Sequence, residues 1–450
     1  MNLKRNIYQD LYVRTQKEDR KPLILKGARQ VGKSFAIEQF AKNNRIKLHK
    51  INFQSQKDAF DIFEGNQDSD SILTKIEFFL DEDIDLENDL LFLDEIQECP
   101  KAVNSLKFLG EEKPQLKIIS AGSYLGLMKN QESFPVGKVE YMSMFPLSFD
   151  EFLLAVDEKL YNFFKKIDVN NMNRIDDFFH KKLLDKFYLY LAVGGMPEVV
   201  LYYVQYSKSL RLNQILNNIR EKQKNLLESY KSDFAKHGGT VNSNHILNVF
   251  ESIPIQLSKT EYEETDKFKF TGIIPNQKGY NVIKEPLTWL TKARLAIQSF
   301  LISDIQQPLK AEAEKNKFKL FMHDIGLLNT ELDIPITSLL NITDEVGSYK
   351  GYIVENFVAC ELFNIFDQNL YTWQRGKAEV EFVVNIGEYI IPIECKSSVK
   401  SRRAKSLDSF VQRYAPKYAY KFTAQNYGKK NGFETIPLYL VGKVLRERKY

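Results

Sequence analysis

Two sets of residues in this chain have the types and spacing that chemistry on phosphate esters demands. The first is Gly27-Ala28-Arg29-Gln30-Val31-Gly32-Lys33-Ser34, a G-x-x-x-x-G-K-[ST] run. It lies between the apolar Leu23-Ile24-Leu25 and a helical pattern from Phe35 to Ala41. Glycines let the backbone curl until successive N–H groups point inward at phosphate oxygens. The helix that follows offers its positive N-terminal end to the same anion. Lys33 is long enough to reach β- and γ-phosphates, and the Ser34 hydroxyl is a ligand for Mg²⁺. With a strand before it and a helix after it, the run predicts a site for ATP and Mg²⁺.

Further along, Leu90-Leu91-Phe92-Leu93-Asp94-Glu95 reads as a buried strand that delivers two carboxylates at its end. Open α/β sheets put their ligands at that carboxyl edge. Asp94 is expected to hold the Mg²⁺ that Ser34 also touches, and Glu95 to orient or deprotonate the attacking water. Another strand pattern, Leu116 to Ile119, runs into Ser120-Ala121-Gly122-Ser123. Ser120 or Ser123 is expected to reach the γ-phosphate or the water; a plain turn explains the small residues nearly as well.

The second set is near the C-terminus. Val380-Glu381-Phe382-Val383-Val384 and Tyr389-Ile390-Ile391-Pro392-Ile393-Glu394-Cys395-Lys396 read as a hairpin turning at 385–388. Glu394 and Lys396 are two apart and share a face, and Glu381 can meet Glu394 across the ladder. Two carboxylates and a lysine so placed suit metal-assisted phosphodiester hydrolysis. Glu381 and Glu394 would hold Mg²⁺, and Lys396 would position or help deprotonate a water. A buried salt-bridge network without catalysis accounts for the same residues. Glu355, in register with Ala359, Leu362 and Phe366 on a helix, puts a carboxylate on an apolar stripe. It needs a metal or a basic partner there.

These residues imply an α/β, multidomain architecture. Residues 1–150 alternate strand and helix patterns, the signature of a parallel sheet. Residues 151–235 read as helical, broken at Gly194-Gly195-Met196-Pro197. Residues 236–310 fit a winged-helix module, and 311–450 an α/β domain whose order from Gly351 is helix, three strands, helix, strand.

At 450 residues the chain is too long for one core. No apolar run approaches bilayer length, and no signal-like core follows Met1, so no membrane role is expected. Three cysteines without metal-ligand spacing point to a reducing cytoplasm. The net charge of +4 hides an asymmetry: Cys395 to Tyr450 holds fourteen Lys/Arg against three Asp/Glu. A basic end on an acidic body suggests an anionic partner, although a solvated basic face has equal claim on charge alone.

The phosphate loop, Leu93-Asp94-Glu95-Ile96-Gln97, Ala121-Gly122-Ser123, Phe145-Pro146-Leu147-Ser148-Phe149 and Gly194-Gly195-Met196-Pro197 resemble a family of prokaryotic AAA-type ATP-binding proteins. Asp324-Ile325-Gly326-Leu327-Leu328 and Gly351-Tyr352-Ile353-Val354-Glu355-Asn356 are similar to its C-terminal domain, which resembles restriction-endonuclease-like folds of the PD-(D/E)XK kind. The resemblance implies an AAA-type P-loop ATPase, with Lys33 and Ser34 as phosphate and Mg²⁺ ligands. It implies Asp94 and Glu95 as the metal-holding and water-activating acids, and Glu381, Glu394 and Lys396 in the C-terminal domain. The family usually has Asp at the position of Glu381, and Arg at that of Lys138.

The leading expectation is an ATPase whose nucleotide state moves the middle region and positions a nuclease-like domain on nucleic acid, DNA ahead of RNA. A homo-oligomer is also expected. An ATP-driven switch with a catalytically silent C-terminal domain is the alternative. A transcription regulator using residues 236–310 ranks last, since no basic recognition helix stands out there.

Overall fold

This computed structural model describes residues 2–65, 68–122, 137–237, 239–259, 267–340, 350–397, 404–430 and 432–450. The chain forms two compact bodies, one of residues 4–145 and one of residues 146–450 together with 1–3.

In the first body, five strands form one sheet in the order β2-β3-β4-β1-β5. They are β1 (Leu23–Lys26), β2 (Leu48–Asn52), β3 (Leu90–Asp94), β4 (Lys117–Gly122) and β5 (Glu140–Ser143). Every pairing is parallel. Parallel strands need crossovers, and helices Lys33–Asn43, Ser69–Leu80 and Pro100–Glu112 supply them. β3 is buried at all five positions, as its unbroken apolar run requires. Ile51, Phe53, Phe63, Ile72, Leu93 and Ile118 belong to one core cluster. Two caps fit the sequence: Asp68 accepts from Ser71 N at 2.8 Å, and Pro100 occupies the first turn of its helix.

The second body starts with helices, Phe149–Val156 through Gly239–Lys259, then Tyr280–Lys292. Ser148 and Glu151 make a capping box at the first of them. An eight-stranded mixed sheet follows, in the order β12-β13-β11-β10-β9-β8-β6-β7. Its strands are β6 (Ala296–Ile302), β7 (Phe318–Met322), β8 (Leu370–Arg375), β9 (Ala378–Ile386), β10 (Tyr389–Lys396), β11 (Tyr420–Thr423), β12 (Gly428–Lys430) and β13 (Phe433–Pro437). Helices Lys350–Phe366 and Lys405–Tyr414 complete the order read from Gly351. β6 pairs in parallel with β8 and antiparallel with β7, so residue 310 falls between two strands of one sheet.

Three of the motifs meet inside this body. Gly195 N donates to Asp324 Oδ2 at 2.7 Å, and Leu327 N to Oδ1 at 3.0 Å. Leu147 N donates to Gly195 O at 2.7 Å. A Cβ on Gly195 would lie 2.2 Å from Leu147 O, so only glycine permits the approach. Among the described residues, no helix is long and apolar enough to cross a membrane.

Candidate functional site

β4 lies between β1 and β3, so the loop after β1 and the acids after β3 reach a common region across it. In the loop, Gly32 has φ +89° and Gln30 φ +62°, the left-handed turns that roll the backbone inward. A Cβ on Gly27 would fall 2.3 Å from Met144 O, so the loop's first glycine is fixed by the end of β5. Lys33 begins the following helix and is buried. Its Nζ donates to Gly27 O at 3.1 Å and Ala28 O at 2.9 Å. Burial pushes its pKa down to about 8, against the opposing charges of Glu95 and Asp94.

The Ser34 hydroxyl donates to Asp94 Oδ1 at 2.8 Å. The two oxygen ligands expected for Mg²⁺ are therefore adjacent, a hydroxyl and a carboxylate at the mouth of a glycine cradle. That donor set fits the ion, which takes few protein oxygens and keeps its waters and phosphates. Asp94 Oδ2 accepts from Asn52 Nδ2 at 3.1 Å and lies 3.2 Å from Lys50 Nζ. Lys50 also meets Glu38 at 2.6 Å.

Glu95 adopts φ 51° and ψ 42°, a left-handed conformation uncommon for a residue with a Cβ. Its Oε2 accepts from Gln97 Nε2 at 2.5 Å. Ser120 is buried in β4, and its Oγ has no hydrogen-bond partner among the described residues. Ser123 lies outside the described residues. Lys138 forms a salt bridge with Glu111 on helix Pro100–Glu112.

In the second body, Glu381, Glu394 and Lys396 do come together. Lys396 Nζ lies 2.8 Å from Glu381 Oε1 and 3.4 Å from Glu394 Oε1. Glu394 is buried, with Oε2 accepting from Leu407 N at 3.2 Å. Burial and the charge of Glu381 push its pKa up to about 7, against Lys396. Glu381 Oε2 accepts from Cys395 N at 3.3 Å. Glu355 turns instead to Lys319, 2.9 Å away, and Lys319 lies 2.6 Å from Glu379. The basic partner that Glu355 needs is thus a lysine. Among the described residues, no group of three or more His, Cys, Asp or Glu is placed to hold a metal. Lys396 answers both carboxylates, so the three side chains predicted from the hairpin stand together on β9 and β10.

Residue types alone did not single out Lys50, Asn52 or Lys319, and Gln97 was part of a family-like run with no role attached. Asn52 pairs with Asp94 across β2 and β3, which becomes visible only once strand order is known. Arg220 is engaged with Thr330 Oγ1 and Ile334 O, and Arg294 with Asp367.

Residues 19–153 match the family model of an AAA domain. Residues 184–338 and 350–441 match models of two domains of unknown function, DUF8612 and DUF4143. The search of curated proteins gave no match. Among solved structures, the Walker-type ATPase PABY2304 of Pyrococcus abyssi aligns with TM-score 0.46 and 15% identity, over 74% of this chain and 96% of that one. The RuvB Holliday junction branch migration motor of Thermotoga maritima aligns with TM-score 0.28 and 13% identity, over 68% of this chain and 89% of that one. The STAND protein PH0952 of Pyrococcus horikoshii, with a tetratricopeptide repeat sensor, aligns with TM-score 0.27 and 12% identity, over 81% of this chain and 46% of that one. The first body has an AAA-type, P-loop ATPase-like fold, and its family implies nucleotide binding.

Proposed function

We propose that this chain binds and hydrolyses ATP in its first body, and that the nucleotide state controls a nucleic-acid-binding second body. The observation that carries the ATPase reading is the junction of Ser34, Asp94 and Glu95 beside the glycine cradle. Loop N–H groups bind the phosphates, and Lys33 leaves its own loop carbonyls to reach them. Ser34 and Asp94 would hold Mg²⁺, which when bound supplies positive charge to the phosphate oxygens. Glu95 accepts the proton of the attacking water. ATP turnover tests this reading. Lys33→Ala and Glu95→Gln should each abolish turnover, and full activity in either overturns the assignment of that residue.

For the second body, the basic C-terminal segment favours an anionic polymer, DNA ahead of RNA. In this reading Lys396 stays paired with Glu381 and Glu394 and does no chemistry. Fluorescence anisotropy with labelled DNA and RNA, with and without ATP, tests the coupling; affinities identical in both states overturn it. A second reading, metal-dependent cleavage, has the convergence of Glu381, Glu394 and Lys396 in its favour. Cleavage of DNA or RNA with Mg²⁺ or Mn²⁺ that disappears in Lys396→Ala would establish it. Self-assembly around the ATPase body belongs to the same proposal, and sedimentation with and without ATP checks it.

A further inference from the structure

We propose that Gln97 is the positioning residue of the ATPase site, holding the Glu95 carboxylate, and that Gly122 is glycine to leave room for it. The inference rests on the reading of Glu95 as the carboxylate that activates water. Gln97 is buried, on the short helical turn Ile96–Glu98 that follows β3. Its Nε2 donates to Glu95 Oε2 at 2.5 Å. The other end of the same amide, Oε1, fills the space above Gly122, where a Cβ would lie only 2.3 Å away. Gly122 ends β4 and its φ lies outside the left-handed region, so its backbone does not require glycine. The next nearest atoms to that Cβ are Gln97 Cδ at 3.4 Å and Ile96 Cγ2 at 3.6 Å, ordinary distances. The one close approach among these is Gln97 Oε1, the end of a side chain that an added methyl would push aside rather than a backbone wall.

The arrangement gives a floppy carboxylate one direction. A glutamate has three side-chain torsions, and its backbone alone fixes none of the last two. An amide wedged against a neighbouring strand and bonded to one carboxylate oxygen leaves the other oxygen aimed. Gln97 touches neither nucleotide nor water in this role; it acts through Glu95.

Steady-state kinetics, nucleotide affinity and thermal unfolding of the full chain test this. Gln97→Met keeps the volume and removes the donor. Its kcat should fall about 10- to 100-fold with nucleotide Kd and unfolding midpoint unchanged. Gly122→Ala should lower kcat similarly in the wild-type background, by displacing Gln97. In a Gln97→Ala background the same substitution should cost nothing more, because its obstacle is gone. An unchanged kcat in Gln97→Met, or a Gly122→Ala loss that multiplies with Gln97→Ala, overturns the proposal. Glu95→Gln separates the two layers. If it destroys turnover while Gln97→Met does not, only the positioning role falls; if it retains turnover, the reading of Glu95 falls as well.

Discussion

Lys319 on β7 and Glu355 on helix Lys350–Phe366 form an ion pair 2.9 Å long, with both side chains nearly sealed from water. Glu379 on β9 completes the group from the other side at 2.6 Å. Burial alone would lower the lysine pKa, but the two carboxylates raise it, so the ammonium stays charged. Removing it strands a buried acid, Glu355, beside a half-buried one, Glu379. Lys319→Met should destabilise the second body by about 3–5 kcal/mol, measured by urea unfolding. Lys319→Met with Glu355→Gln and Glu379→Gln should recover most of that loss, and a single variant as stable as the wild type would contradict the account.

Asp324 offers a pH test. Burial raises its pKa from 3.8 to about 6, despite backbone N–H donors from Gly195, Leu327 and Gly326. A carboxyl whose folded pKa is raised favours folding while protonated. That contribution is fully present below the unfolded value and is lost as pH rises through the folded one. Stability relative to Asp324→Asn should therefore fall by up to about 3 kcal/mol between about pH 4 and about pH 6.5. Unfolding curves across that window read it; a constant difference between the two proteins would mean the carboxyl titrates normally.

Gly195 faces backbone, not a side chain that can turn away. A Cβ there meets Leu147 O at 2.2 Å and Leu147 N at 2.9 Å. Gly195→Ala should cost about 1–3 kcal/mol, the usual penalty of overpacking. Gly428, with nothing within 4 Å of an added Cβ, is the control and should tolerate alanine. Differential scanning calorimetry of the two variants decides the matter: equal midpoints would show that the motif junction yields.

The pair Ser34 and Asp94 predicts how nucleotide affinity depends on Mg²⁺. Ser34→Ala or Asp94→Asn should weaken the Mg²⁺ dependence of nucleotide binding by at least about tenfold. Binding without the ion should change little, because the loop N–H groups and Lys33 remain. Titrations of a fluorescent nucleotide in Mg²⁺ and in chelator give both numbers. A wild-type response in both variants would remove these residues from the metal's surroundings.

The α/β pattern of the first body was legible because β1, β3 and β4 carry short apolar runs and the loop after β1 is a motif with one structural setting. β5 was not, since Glu140-Tyr141-Met142-Ser143 is exposed enough to lack an apolar run. Strand order is non-local, so Lys50 and Asn52 could not be tied to Asp94 from their own neighbourhood. Glu355 was legible as a buried charge in need of a partner. The partner, Lys319, sits 36 residues earlier on a strand whose pairing no local pattern announces. Glu381, Glu394 and Lys396 were legible as a cluster because a hairpin is local. Whether they hold a cation or supply one was not, since that depends on the reach of a single ammonium. The motifs at Gly195, Leu147 and Asp324 were visible as motifs, and only the fold shows that they bind one another.

The parallel pairing of β6 with β8 has a consequence for how this chain can be divided. From Ser299–Leu370 to Ile302–Trp373 the two strands share a ladder, and Ser299 Oγ and Thr372 Oγ1 are hydrogen-bonded at 2.8 Å within it. A piece beginning at residue 350 would carry β8 as a bare edge, with its N–H and C=O groups open to any other strand. Such a fragment should self-associate through that edge, visible as concentration-dependent light scattering. Residues 296–322 and the helix-and-strand segment after 350 therefore fold as one piece.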